Sequence, residues 1–238
     1  MAATLEATIE AVLGGGDSVD LSDQNIGDTG AARLAEALAA STAVEEVLLD
    51  GNGLSDTGCL EVVGALVSSS SAVKQLSFFG NEITDLGAAH LADLLRRHTA
   101  LRELDVRKNS VGDAGATSLA AALEGNATLK NLWLKDNNLC DAGAQHLVNA
   151  LGKCSLRSLD LEGNTISQAC VERLGDLARS LGKNVNFGMQ RERVLTEAEK
   201  KKAEAIAAAR AWFDSGGAWQ RLSALAAARY PMLILGKR

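Results

Sequence analysis

The sequence predicts an α/β solenoid, with a curved parallel sheet on the concave side and helices on the convex side. Three observations carry this. The stretch LDVRKNSVGDAGATSLAAAL at Leu104–Leu123 is echoed twenty-eight residues on by LWLKDNNLCDAGAQHLVNAL, and twenty-eight residues back by LSFFGNEITDLGAAHLADLL. Such a period marks repeated supersecondary units that bury their apolar faces only by stacking. Within each unit, apolar residues first alternate and then recur four apart, which is a half-buried strand followed by one face of a helix.

The N-terminal cap comes first, residues 1–16. Ala2–Leu13 reads as one helix with Leu5, Ile9 and Leu13 on a single side, stopped by Gly14-Gly15-Gly16. The solenoid follows over residues 17–188, as six repeats plus a seventh strand. Its strands are announced by Val19 and Leu21, Val47 and Leu49, Leu76 and Phe78, Leu104 and Val106, Leu132 and Leu134, and Leu159 and Leu161. Asn184–Met189 supplies the seventh, with Val185 and Phe187 in the buried register. Helices are announced by Leu34 and Leu38, Val62 and Leu66, Leu91 and Leu95, Leu119 and Leu123, and Leu147 and Leu151.

One polar register runs through the array: Gln24, then Asn52, Asn81, Asn109, Asn137 and Asn164. An amide there can satisfy backbone groups stranded by the turn after each strand, forming a ladder from coil to coil. Gln24 can imitate this only with a longer arm. Four residues on stand Asp28, Asp56, Asp85, Asp113 and Asp141, placed to cap the helix that each one opens, and glycine follows at 30, 58, 87, 115 and 143. The array ends at Gln168 and Cys170, which replace that pair.

The remaining residues, 189–238, read as a basic C-terminal helical extension. Thr196 and Glu199 form a capping box for a helix over about 197–213, Asp214–Gly217 breaks it, and a second helix runs over about 218–229 before Pro231. A helical hairpin covering the open end of the solenoid is the expectation; a docking element for another protein is the competing one. The apolar Met232–Leu235 needs cover from one or the other.

The pattern L-x-L-x-x-N-x-[IL]-x-x-x-G with a long helix resembles the leucine-rich repeat, and its 27–29 residue period is similar to the ribonuclease-inhibitor subtype. The resemblance implies a right-handed solenoid and assigns structural roles to the matching positions, catalytic roles to none. Among proteins of this type, Ran-type GTPase activators and tropomodulin-like actin-capping proteins offer alternative functions. The first carry about twice the repeats seen here, and the second end a short solenoid with a helix.

Composition narrows the chemistry. The chain has 238 residues but only 3% aromatics, which suits thin regular layers better than one large globular core. The start carries Glu6 and Glu10 and no basic residue, unlike a secretory or transit segment, and no apolar run approaches the ~20 residues that span a bilayer. Cys59, Cys140, Cys154 and Cys170 form no CxxC, pointing to reduced thiols in a cytosol-like, cytoplasmic setting. Asn126-Ala127-Thr128 matches a glycosylation triplet by chance. Gly152-Lys153 and Gly182-Lys183 lack the upstream glycine of a phosphate-binding loop and read as helix endings. His90 and His146 share a polar helix register, too far apart for a metal pair. No cofactor, metal or nucleic acid is implied.

The strand residues that point away from the core form two columns on the concave face. One is Asp20, Leu48, Ser77, Asp105, Trp133, Asp160; the next is Ser22, Asp50, Phe79, Arg107, Lys135, Glu162. Trp133 and Phe79 stand where a chain poor in aromatics places few, and large aromatics among charges anchor protein interfaces. Leu48 adds apolar surface, while Arg107, Lys135, Asp105 and Glu162 would fix register. Asp105 and Asp160 read as solvated acids rather than a catalytic pair. The expectation is a non-enzymatic interaction module or scaffold, a monomer or a subunit of a hetero-complex, with no membrane contact.

Charge is unevenly placed. Residues 1–188 hold 14 basic and 25 acidic residues, a net −11, while 189–238 hold 10 and 5, a net +5. The two parts would attract each other or face different partners.

Overall fold

The structure is a computed structural model that describes residues 2–69 and 71–191. The expected helices near 197–213 and 218–229 lie outside the described residues.

The described chain opens with α1 (Ala2–Leu13) and then alternates strand and helix. The order is β1 (Ser18–Asp20), α2 (Gly27–Ala40), β2 (Glu46–Leu48), α3 (Asp56–Ser68), β3 (Gln75–Ser77), α4 (Asp85–Arg97) and β4 (Glu103–Asp105). It continues with α5 (Asp113–Leu123), β5 (Asn131–Trp133), α6 (Asp141–Ala150) with a 3-10 turn at Leu151–Lys153, β6 (Ser158–Asp160), α7 (Gln168–Ser180) and β7 (Asn184–Asn186). The strands form one parallel seven-stranded sheet in sequence order. Register is constant, with Val19, Val47, Leu76, Leu104, Leu132, Leu159 and Val185 on successive rungs.

The alternating strand residues and the four-apart helix residues meet between sheet and helices. From Val19 to Leu161 every strand pair is fully buried, and so are Leu34, Val62, Leu91, Leu119 and Leu147. Burying one such side chain contributes about 1.5–3 kcal/mol. In α1, Leu5 is buried and Ile9 packs against the core, but Leu13 is 61% exposed and Val12 takes the buried place. At 3.6 residues per turn Val12, seven on from Leu5, lies nearly in line with it, while Leu13, eight on, is turned about 80° away. Gly15 is left-handed at φ +92, Gly16 donates to Ala11 O at 2.9 Å and Gly15 to Val12 O at 3.1 Å, a paired closure that turns the chain away.

Gly182 closes α7 in the same way, at φ +64, with Lys183 donating to Ala178 O at 3.0 Å. Gly152 instead lies in the 3-10 turn after α6.

The asparagine amides reach backward by one coil. Asn137 Oδ1 accepts from Val111 N at 2.9 Å, and its Nδ2 donates to Val106 O at 2.8 Å and Leu134 O at 3.2 Å. Asn52, Asn81, Asn109 and Asn164 repeat this, accepting from the amides of Ile26, Leu54, Ile83 and Leu139. They donate to the carbonyls of Leu21, Leu49, Phe78 and Leu134. Gln24, in the first coil, has no earlier coil to serve and donates only to Ser22 O, at 3.2 Å. The glutamine that substitutes for asparagine stands at the other end. Gln190 accepts from Ile166 N at 3.4 Å and donates to Leu161 O at 3.1 Å.

The aspartates act one coil forward, which corrects the expectation that each caps its own helix. Asp28 Oδ1 accepts from Ser55 N at 2.9 Å and Gly58 N at 3.0 Å, and Ser55 Oγ donates to its Oδ2 at 2.5 Å, all at the start of α3. Asp56 serves Thr84 and Gly87 of the next coil, Asp85 serves Gly112 and Gly115, and Asp113 serves Cys140 and Gly143. Adjacent stacking brings each carboxylate beside the next helix's free N–H groups, while its own helix is out of reach.

This explains the glycine at 58, 87, 115 and 143, whereas a Cβ at Gly30 would meet Ile26 Cβ at 2.6 Å instead. A Cβ at Gly58 would lie 2.4 Å from Asp28 Oδ1, and one at Gly87 2.5 Å from Asp56 Oδ1. The last coil has Cys170 at this place, and there Asp141 reaches only Ser167, through N and Oγ, both at 2.7 Å. Gly58→Ala is therefore destabilising in the parent protein and less so beside Asp28→Ala, where only the contacts with Leu54 Cδ2 at 3.2 Å and the residue-28 Cα at 3.3 Å remain. A urea-denaturation cycle should give a coupling of about 1–3 kcal/mol between the two positions; additive effects would show that the carboxylate does not dictate the glycine.

Candidate binding face

The sheet places its outward residues as the register requires. Across β3, β4 and β5, Ser77 pairs with Asp105 and Asp105 with Trp133; Trp133 then pairs with Asp160 of β6. Trp133, Leu48 and Phe79 are each half-buried on this face, outside the core cluster. Trp133 thus lies between two carboxylate-bearing strands. The ring of Phe79 is flanked by two cations, with Arg107 at 5.2 Å and Lys108 at 5.0 Å from its centroid.

Lys108 holds a left-handed backbone, φ +51, at the turn position filled by Gly51, Gly80 and Gly163 in other coils. That conformation disfavours a long side chain. Here it carries the ammonium to the aromatic ring.

Asp105 is not the solvated acid expected from sequence. It is 7% exposed, because Arg107 folds back over it. Arg107 Nε donates to both carboxylate oxygens, at 2.9 and 2.8 Å, and Nη2 adds a further bond to Oδ2. Arg107 N also donates to Oδ1, at 2.9 Å. The bond to Asp105, with Asp160 and Asp50 nearby, pushes the guanidinium's affinity for its proton still higher. Burial raises the Asp50 carboxyl above the usual carboxylate range, and Asp105 adds to this, while the hydrogen bond from Ser77 opposes it. Lys135 pairs with Glu162 at 3.1 Å, and the Lys135 and Asn186 bonds hold the Glu162 carboxyl below its ordinary value. Asn186 of β7 also donates to Asp160 Oδ1 at 2.9 Å.

The face therefore carries a pre-formed network, with Arg107 and Lys135 already engaged. A third column, not singled out from the sequence, comes from the first residue of each strand. Glu46 and Glu103 belong to it, held by Ser18 at 3.3 Å and Asn131 at 3.1 Å. With Asp20, Asp50, Asp105, Asp160 and Glu162, carboxylates outnumber the two cations of the strand columns. The face is acidic overall, with Trp133 between carboxylate-bearing strands and Phe79 beside two cations.

Elsewhere, the chemistry is structural. Among the described residues no group of three or more His, Cys, Asp or Glu could hold a metal ion. No helix among them is long and apolar enough to cross a membrane. The four cysteines are free, and burial pushes the Cys59 thiol far up. Asn126 spends its amide on the fold: Nδ2 donates to Leu95 O at 2.8 Å, and Oδ1 accepts from Leu129 N at 2.8 Å.

The leucine-rich-repeat family model matches residues 97–120 and 152–169. Taken with the repeating strand–helix units, this marks the fold as a leucine-rich-repeat solenoid. Among solved structures, it is similar to one titled "Leiomodin-1 Actin-Binding Site 2 (ABS2)". That likeness has 16% identity and a TM-score of 0.46, and it covers 87% of this chain and 96% of the other. No curated protein matches the sequence.

Removing one half of the network isolates its cost. Arg107→Ala leaves a poorly hydrated Asp105 without its counter-charge and should lower unfolding stability by about 1–3 kcal/mol. Adding Asp105→Ser, the residue found one rung away at Ser77, should recover most of that loss in the same denaturation assay; no recovery would mean that Arg107 stabilises by packing instead.

Proposed function

We propose that this chain is a non-enzymatic protein-interaction module that holds a partner protein on its concave face. The observation that carries the reading is the pair of half-buried aromatics on one sheet, Trp133 between two carboxylate-bearing strands and Phe79 beside two cations. A broad open sheet offers area and fixed geometry and encloses no chamber that would exclude water from a reaction.

Anchoring falls to Trp133 and Phe79, with Leu48 extending the apolar surface. Arg107, Lys135, Asp105 and Glu162 fix register, because their mutual bonds hold them in place before a partner arrives. The excess of acid selects a partner with basic side chains around an apolar contact, and charge steering speeds the encounter. Side chains already locked by neighbours lose little freedom on binding, so the face favours one orientation over many.

Affinity capture with the intact chain, followed by calorimetric titration of the recovered partner, tests this. Trp133→Ala should weaken binding by about 2 kcal/mol or more while leaving the unfolding midpoint in place. Equal affinity of parent and variant would remove the concave face from consideration. A shortened chain ending at residue 192, which keeps Gln190 and its bonds, run alongside, shows whether capture needs the C-terminal extension.

A further inference from the structure

A second surface stands apart from the concave face, on the rim where each return loop enters its strand. The residue just before the strand is Lys74, Arg102, Lys130 and Arg157 in four successive coils. Backbone bonds place these residues on consecutive rungs: Arg102 N donates to Lys74 O, Lys130 N to Arg102 O and Arg157 N to Lys130 O, each at 2.8 Å. Neighbouring parallel strands lie about 4.8 Å apart, so the four cations form a line about 14–15 Å long. They edge an open groove of about 590 Å³ whose remaining walls are Thr99, Ala100, Ala127 and Thr128.

This basic line runs across a body of net −11. Lys74 is paired at one end, with Glu45 at 2.5 Å. Among the described residues, Arg102, Lys130 and Arg157 have no carboxylate within ion-pair distance, and Arg102 and Arg157 are exposed. A structural purpose accounts for part of the register: Lys183, one coil further on, donates to Cys154 O at 3.1 Å and Leu156 O at 2.7 Å, and Lys130 to Ala127 O at 3.3 Å. Cations near helix C-termini are also favoured by the helix dipole. Neither explains two exposed guanidinium groups free of such bonds.

We propose that this groove binds an extended acidic peptide segment of a partner protein, with Arg102 and Arg157 as the principal contacts. An extended chain advances about 3.3 Å per residue, so five or six residues span the line and alternate carboxylates face the cations. Ala100, Ala127 and the threonine methyls give a shallow apolar floor for the peptide's stems. A nucleic-acid strand fits less well, because no aromatic lines the groove to stack a base, and the acidic body repels a long polyanion beyond the rim. A single phosphate fits less well because the cations stand in a row and do not converge.

The test uses the full chain and a fluorescein-labelled hexaglutamate peptide, followed by anisotropy at about 50 mM salt. The expected result is saturable one-to-one binding that Arg102→Gln with Arg157→Gln weakens about tenfold or more, with an unchanged unfolding midpoint. Lys74→Gln with Lys130→Gln should weaken it as well, while Trp133→Ala leaves it unaltered, which separates this surface from the concave one. A six-nucleotide oligouridine and pyrophosphate should each bind at least about tenfold more weakly than the peptide. Several results would overturn the proposal: no saturable binding, affinity of the double arginine variant within twofold of the parent, equal or tighter binding of oligouridine or pyrophosphate, or loss of binding only together with loss of fold.

Discussion

Every coil of this protein depends on the buried amide that the next coil sends back into it. A strand of three residues followed by a sharp turn strands backbone groups where water cannot reach them. Asn81 fills the need for its predecessor by accepting from both Asn52 N and Leu54 N, at 3.0 Å each, and donating to Leu49 O at 2.9 Å. Without such a partner, each stranded group would cost about 1–3 kcal/mol. The hydrophobic layers hold sheet to helices, but they are non-directional and would tolerate slippage. The amides fix the register, and the register in turn aligns the concave columns.

A second set of bonds runs the opposite way. The carboxylates of Asp28, Asp56, Asp85 and Asp113 reach forward to the following helix, on the convex side of the same coils. Adjacent coils are therefore tied on both sides, backward through amides and forward through carboxylates. At Gly112 and Cys140, where the helix has no hydroxyl cap of its own, the preceding aspartate supplies it. The convex ladder fades where Gln168 and Cys170 end the pattern, while Gln190 extends the concave one by a further rung.

Much of this was legible because period two and period four are printed directly in the sequence, so Leu104, Val106, Leu119 and Leu123 name their own burial. What was not legible depends on stacking. The aspartate lies next to its own helix in sequence but next to another in space, so proximity along the chain misdirected the reading of Asp56. Gln190 sits twenty-six residues after Asn164, in a shorter return and with a longer arm, and the spacing alone could have found it. The burial of Asp105 follows from Arg107 two residues away, a pair that columns of outward residues treat as independent. Lys74 and Arg102 escaped notice because they precede the strands by one residue, outside the alternation. The protein thus presents two unlike surfaces, an acidic sheet with half-buried aromatics and a basic rim, both spaced by the same coil repeat.

Native-state hydrogen exchange tests the central claim most directly. The amides of Leu54, Ile83, Val111 and Leu139, which donate to side chains of the next coil, should exchange only through global unfolding, as slowly as the most protected helix amides. Exchange of these four by local opening, well ahead of the helices, would contradict the view that the buried amides bind the coils into one cooperative unit.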